Sequence, residues 1–302
     1  VKTDRVAVTG ANGHLGRRLL TRLEAERPVR AVVRSTAAAR AINDGRGPVI
    51  DTVIVDYANE PAMRRALEGC TAVVHLVGIL KETAANAYET AHEATCRALA
   101  AAAAEAGVQR IVYLSILGSS PDAANACLAS KGRAERILLD GAVSAIVLRV
   151  PMVLGEGDYA SAALLARARA KRAFMLRGSS REQPIYAGDV VEAIVAALDH
   201  DGLERSSFDL AGPESLSRTA LTLRAARVLG TTPSIVSLPV AIGLAAAAVL
   251  ERVSRDPPVT VAMLGVLDHD DDIDPTPAAE RLGLRLTPLD VMLEHVAKGA
   301  NR

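Results

Sequence analysis

The chain has 302 residues, 35 Lys+Arg against 35 Asp+Glu, 50% hydrophobic residues and 2% aromatics. Zero net charge excludes a duplex-binding face, which needs clustered cations, and the shortage of aromatics excludes a base-stacking platform for single strands. The apolar content excludes a disordered chain, and the length suits one large domain or a domain with a smaller lobe.

The first half alternates short β-type runs with alanine-rich helical stretches, and alanine makes up nearly one residue in five. Strands are expected at Arg5–Thr9, Val29–Val33, Val53–Val55, Ala72–Leu76, Arg110–Ser115 and Ala145–Val150. Each is apolar at nearly every position, as a strand covered on both faces must be. Helices are expected at His14–Ala25, Pro61–Glu68, Asn86–Ala106 and Asn125–Asp140, with Gly107 as a C-terminal stop. The stretch after Val33 gives no clear element. This alternation predicts an α/β fold, a Rossmann-type doubly wound parallel sheet with helical crossovers.

Beyond Pro151 the alternation ends. A helix is expected around Ala160–Arg172, then Gln183-Pro184-Ile185-Tyr186, then a helix Asp189–Leu198 with Asp189 as its N-cap. A short run Phe208–Leu210 follows, and the last ninety residues or so read as helical segments broken by prolines. The expected organisation is a nucleotide-fold domain over residues 1–155 with a return segment at about 183–211. Residues 156–182 and 212–302 then form a smaller, mostly helical lobe. The apolar run Leu238–Leu250 is too short for the ~20 residues of a spanning helix. The longer Leu238–Val253 stretch lacks a basic polar face and is expected to pack within its lobe.

Cys70, Cys96 and Cys127 are odd in number and widely spaced, so neither a disulfide framework nor a zinc site follows. With an N-terminus that enters directly into a strand pattern, the expected compartment is cytoplasmic. The acidic run Asp268–Asp274 has Ile273 and Ala279 where a calcium loop needs Gly and Glu, and reads as a solvated loop. No metal is expected.

Thr9-Gly10-Ala11-Asn12-Gly13-His14-Leu15-Gly16 joins the first strand to the first helix. Gly10 suits the tight turn, Gly13 the close approach of backbone to a pyrophosphate, and Gly16 the packing of helix on strand. The diphosphate would rest on the helix N-terminus, whose unpaired N–H groups and dipole favour an anion. The second strand ends in Arg34, where an NAD site of the common type carries an acidic residue. Arg34 and Arg17 therefore favour NADP(H) over NAD(H) by pairing with a ribose phosphate, the alternative being two solvated surface arginines. Asp56 is a candidate for the adenine amino group or a turn cap. Asn12, His14, Leu15, Tyr57, Val77 and Gly78 complete the candidate cofactor contacts.

These motifs resemble the short-chain dehydrogenase/reductase superfamily, whose glycine signature is T-G-x-x-G-x-x-G. Val73–Leu80, Ala106–Ser115, Leu148-Arg149-Val150-Pro151 with Gly155-Glu156-Gly157-Asp158, and Gln183–Tyr186 with Asp189-Val190 resemble its atypical branch, related to the nucleotide-binding accessory subunit of respiratory complex I. The resemblance implies a Tyr-x-x-x-Lys pair on the helix after the fifth strand, a polarising Ser at that strand's end, and a proline against the nicotinamide. This sequence has Cys127-Leu128-Ala129-Ser130-Lys131: the lysine stands and the tyrosine does not. Ser115, with Ser119 as rival, takes the serine role, Lys131 the nicotinamide ribose and Pro151 the nicotinamide.

Cysteine is shorter and softer than tyrosine, so Cys127 reads as a small residue lining the pocket, or as a substitute acid. Tyr88 and Tyr113 could replace the phenol, but neither lies four residues before a lysine. His75 reads as a cofactor contact or a packed histidine, and His92, which pairs with no other ligand at metal spacing, as a packed one. Three functions are carried forward. One is an NAD(P)H-dependent oxidoreductase of a small apolar carbonyl or enone. Another is a non-catalytic redox sensor or accessory protein of a respiratory complex, with a protein partner. The third is a nucleotide-sugar epimerase, which needs the same missing phenol.

Overall fold

The computed structural model describes residues 4–44, 49–83, 86–200, 202–254, 257, 259–266 and 270–299. Asp268, His269 and Pro258 lie outside the described residues. The chain divides into two compact units. The first comprises Val1–Ile79, Asn86–Arg149 and Val191–Phe208, and the second Leu80–Ala85, Val150–Val190 and Asp209–Arg302.

The first unit is built in chain order from β1 (Arg5–Thr9), α1 (His14–Glu24), β2 (Val29–Val33), α2 (Thr36–Asn43), β3 (Asp51–Ile54), α3 (Glu60–Leu67) and β4 (Cys70–His75). A π-helical turn, Glu89–Ala94, then leads into α4 (Thr95–Glu105). β5 (Arg110–Ile116), α5 (Ala126–Leu139), β6 (Ser144–Val150), α6 (Ala187–Asp199) and β7 (Ser206–Asp209) follow. The seven strands form one sheet in the order β7-β6-β5-β4-β1-β2-β3. β1 pairs in parallel with β2 and β4, β2 with β3, and β4 with β5. This is the doubly wound order, with its topological switch between β1 and β4, the place where open α/β sheets bind ligands.

The apolar strand runs make a sheet that must be covered on both faces. One layer buries Ala7, Val32, Val73, Ile111, Tyr113 and Val147 against Met63 and Leu67 of α3, Leu99 of α4 and Leu138 of α5. Each such aliphatic side chain contributes ~1.5–3 kcal/mol through removal from water. Ser35 caps α2, Asn59 caps α3 and Asn125 caps α5 through side-chain oxygens that accept from the first-turn N–H groups.

Three local expectations change. The stretch after Val33 forms α2. The expected single helix Asn86–Ala106 instead opens with the π-helical turn Glu89–Ala94, which contains His92. Asp189 is not an N-cap: α6 starts at Ala187, and the Asp189 carboxylate accepts from both the backbone N–H and the hydroxyl of Thr287, at 2.7 Å each.

The second unit has its own core, in which Leu154, Leu164, Leu165, Leu221, Met292, Leu293 and Val296 come together. Its final part is not purely helical. Ser234–Leu238 forms a strand parallel to Arg172–Leu176, because the β-branched pair Ile235-Val236 finds a partner strand far away in the chain. In the helix Val240–Val253 only Ala247 is buried, while Ile242, Val249, Leu250 and Val253 are exposed. The stretch packs within its unit along one side, where Ala247 is buried and Gly243 lies against the Leu176 side chain, and leaves the other side exposed. Asp270 accepts from the Ser180 hydroxyl and the Arg181 N–H, and Asp272 pairs with the Arg181 guanidinium at 3.2 Å. No helix of the described residues is long and apolar enough to cross a membrane.

Candidate functional site

The loop between β1 and α1 has the geometry its glycines require. Gly10 takes a φ of +70°, a left-handed conformation that costs other residues energy. Its N–H donates to the Tyr57 hydroxyl at 3.0 Å, and that hydroxyl donates to the Val32 carbonyl at 2.9 Å. The Gly13 N–H closes the turn onto the Gly10 carbonyl at 3.0 Å. A Cβ at Gly16 would stand 2.6 Å from the carbonyl oxygens of both Gly10 and Ala11, so only glycine lets α1 begin there.

A dinucleotide would be held by this cradle, and its residues fit one. Unlike α2, α3 and α5, α1 has no side-chain cap, and its first turn carries no acidic residue. Asn12, Gly13 and His14 are exposed at its N-terminus, Leu15 is half-buried, and Arg17 is exposed one turn on. Such a terminus offers N–H groups and a positive dipole to an anion.

Arg34, just past β2, stands 6.0 Å above the Tyr57 ring and donates to Asn86 Oδ1 at 3.3 Å. Tyr57 thus lies between the guanidinium and the loop: its ring faces Arg34 and its hydroxyl accepts from the Gly10 N–H. Its ring is buried, and burial raises the phenol's pKa, so it serves as a neutral strut. Asp56 turns one carboxylate oxygen to the Ala58 N–H at 3.1 Å, a turn cap, and the residue stays exposed.

The chain beyond β4 carries Val77, half-buried, and Gly78, exposed. Lys131, on α5, is buried beneath them. Its ammonium donates to the Leu114 carbonyl at 3.1 Å and the Val77 carbonyl at 3.4 Å, and lies 4.5 Å from the centre of the Tyr113 ring. Burial lowers its pKa to about 8 against the pull of Cys96, Cys127 and Glu135. A Cβ at Gly78 would come within 2.9 Å of the ammonium. Cys127, one turn earlier on α5, is buried and directs its thiol to the Ile79 carbonyl at 3.5 Å.

The Ser115 hydroxyl donates to the Glu135 carboxylate, which accepts from Arg149 at both oxygens, Nη2 to Oε2 at 2.6 Å and Nε to Oε1 at 3.2 Å. Ser119 is also buried, 3.4 Å from Ser115. Pro151 lies in the second unit, directly after β6. Tyr88 is buried and stacks on His92, and Tyr113 is buried and stacks on His75.

Both histidines are fully buried. His75 Nδ1 meets the Thr9 hydroxyl at 2.7 Å, and His92 Nε2 accepts from the Ile79 N–H at 3.1 Å. Burial, then the Lys131 charge, pushes each imidazole down to about 3. They are neutral groups that hold backbone and hydroxyl in place. Sequence reasoning did not find the Tyr57–Gly10 and His92–Ile79 bonds. The only signal was an aromatic or imidazole in each element flanking the loops.

A family profile described as NAD(P)H-binding matches residues 10–201, more than half of the chain. The chain is 28% identical over 237 residues to ceramide reductase of Caulobacter vibrioides, covering 78% of this chain and 73% of that protein. It is also 28% identical over 250 residues to the mitochondrial NADH dehydrogenase [ubiquinone] 1 alpha subcomplex subunit 9 of Arabidopsis thaliana, covering 80% of this chain but only 62% of that subunit. Among solved structures, MoeE5 in complex with UDP-glucuronic acid and NAD superposes with a TM-score of 0.73 at 20% identity, covering 99% of each chain. At that identity the superposition establishes the fold alone. The profile match, the doubly wound sheet and the glycine cradle lead to one assignment: the chain belongs to the NAD(P)H-binding family, as an atypical member of the short-chain dehydrogenase/reductase superfamily.

Proposed function

We propose that this chain is an NADPH-preferring reductase of a small, mainly apolar carbonyl or enone. The observation that carries the cofactor preference is Arg34 just past β2, its guanidinium 6.0 Å from the ring of Tyr57, whose hydroxyl accepts from Gly10 of the phosphate loop. Arginine binds a phosphate dianion well, and Arg17 adds a second cation in this reading. The backbone from Gly10 to Gly16 holds the diphosphate, Asp56 and Val77 line the adenosine side, and Lys131 meets the nicotinamide ribose.

When bound, the nicotinamide supplies hydride. The chain's own residues orient the reactants and manage the proton. An ammonium has three donors, and Lys131 spends two on the Leu114 and Val77 carbonyls. The third is the proton source this reading assigns, since a pKa of about 8 suits exchange near neutral pH. Ser115 would act only if released from Glu135, so Ser119 takes precedence. An enone suits the site better than a ketone, because the enolate left by hydride addition at carbon can take its proton from Lys131 without a positioned phenol.

A second reading, a non-catalytic NADPH-binding sensor or an accessory protein of a respiratory complex, draws on Cys127 at the phenol's place and on the likeness to the complex I subunit. The epimerase reading has only the fold in its favour. Screening NADPH oxidation against a panel of enones and ketones separates the first two. Turnover of an enone that is lost in Lys131→Met supports the reductase. Firm NADPH binding with no turnover across the panel transfers the assignment to the second reading.

A further inference from the structure

Three consecutive peptide groups after β4 are held by side chains from the π-helical turn and from α5. The Val77 carbonyl takes the Lys131 ammonium, the Ile79 N–H donates to His92 Nε2, and the Ile79 carbonyl takes the Cys127 thiol. Gly78 lies between: a Cβ there would be 2.9 Å from the Lys131 ammonium and 3.6 Å from His92 Nε2. The Ile79 peptide is therefore gripped at both of its polar ends.

His92 reaches it because the π-helical turn Glu89–Ala94 shifts the helical register at that point, and single π-turns of this kind mark functional positions. Since Nε2 accepts, the ring proton resides on Nδ1, a buried atom with no partner among the described residues. A buried donor left unpaired is destabilising, so this tautomer is maintained at a cost that packing alone does not require.

We propose that His92 and Cys127 are positioning residues that clamp the Ile79 peptide, fixing the Val77–Ile79 turn and, through Gly78, the Lys131 ammonium for dinucleotide binding. The inference rests on the NAD(P)H-binding reading above. It also gives Cys127 a purpose at the phenol's position: a backbone latch in place of an acid.

The test uses the full chain with NADPH titrated by cofactor fluorescence, at a temperature where each variant is folded. His92→Leu and Cys127→Ala remove one end of the grip, and each is expected to weaken NADPH binding about tenfold, the scale of one lost buried hydrogen bond. His92→Gln keeps an acceptor and Cys127→Ser keeps a donor, so both should stay within about threefold of wild type. Hydrogen exchange at the Ile79 amide should accelerate in His92→Leu and not in His92→Gln.

Unchanged affinity in His92→Leu and Cys127→Ala while wild type binds NADPH would overturn the clamp and leave the cofactor reading intact. So would a loss of affinity with unaltered Ile79 exchange, or a loss that the conservative variants fail to rescue. Failure of wild type to bind either dinucleotide would instead remove the reading beneath it.

Discussion

At the residue scale, the site depends on a few polar groups withdrawn from water. Lys131 is the sharpest case, because its pKa falls from 10.5 to about 8 on burial. Between those two values the unfolded chain binds a proton that the native chain has released, so stability rises with pH across that window. Below about 8 the native state bears the full cost of the buried charge. Lys131→Met has no such term. The difference in unfolding free energy between wild type and Lys131→Met should therefore move in favour of wild type by about 3 kcal/mol as pH rises from 8 to 10.5. Urea unfolding at a series of pH values checks this. A flat difference would mean that the ammonium is solvated in the native state.

At the element scale, the β1–α1 junction is the least tolerant part of the chain. Gly16→Ala would drive a methyl group to 2.6 Å from two backbone carbonyl oxygens, neither of which can rotate away. Overpacking of this kind costs ~1–3 kcal/mol. The variant should show a lower unfolding midpoint together with lost dinucleotide binding, measured by thermal scanning with and without NADPH.

This junction was also the most legible element in the sequence. Its glycines answer to local backbone constraints, and β1 and β2 were expected with the bounds they have, Arg5–Thr9 and Val29–Val33. α2 escaped because four of its eight residues are alanine and, of the eight, Ile42 alone is buried, so its apolar face is shallow. The strand Ser234–Leu238 escaped because its partner, Arg172–Leu176, lies some sixty residues away. Asp189 read as a cap because its type fits one, yet its actual partner, Thr287, is 98 residues on. Contacts at that separation leave no local mark, and the grip of His92 on Ile79 belongs with them.

At the scale of the whole molecule, the neutral composition conceals strongly unequal local fields. Arg17 and Arg34 flank an uncapped helix terminus, while His75 and His92 are kept neutral beside Lys131. Each imidazole falls from 6.5 to about 3, so below pH 6.5 the unfolded chain takes up protons that the native chain refuses. Stability should be lost as pH falls from about 6.5 toward 3, beyond what the carboxylates alone produce. His92→Gln should show a shallower acid limb than wild type when unfolding is followed by circular dichroism. Identical limbs would show that His92 takes up its proton freely in the native state.

We propose that the β1–α1 cradle, with Arg34 facing it across Tyr57, selects NADPH over NADH. Titration of wild type and Arg34→Ala with NADPH and NADH, followed by cofactor fluorescence, tests it most directly. NADPH should bind wild type at least about tenfold more tightly than NADH, a gap of ~1.4 kcal/mol, and Arg34→Ala should close that gap by weakening NADPH alone. Equal or tighter binding of NADH by wild type would contradict the role given to Arg34, and binding of neither would contradict the account as a whole.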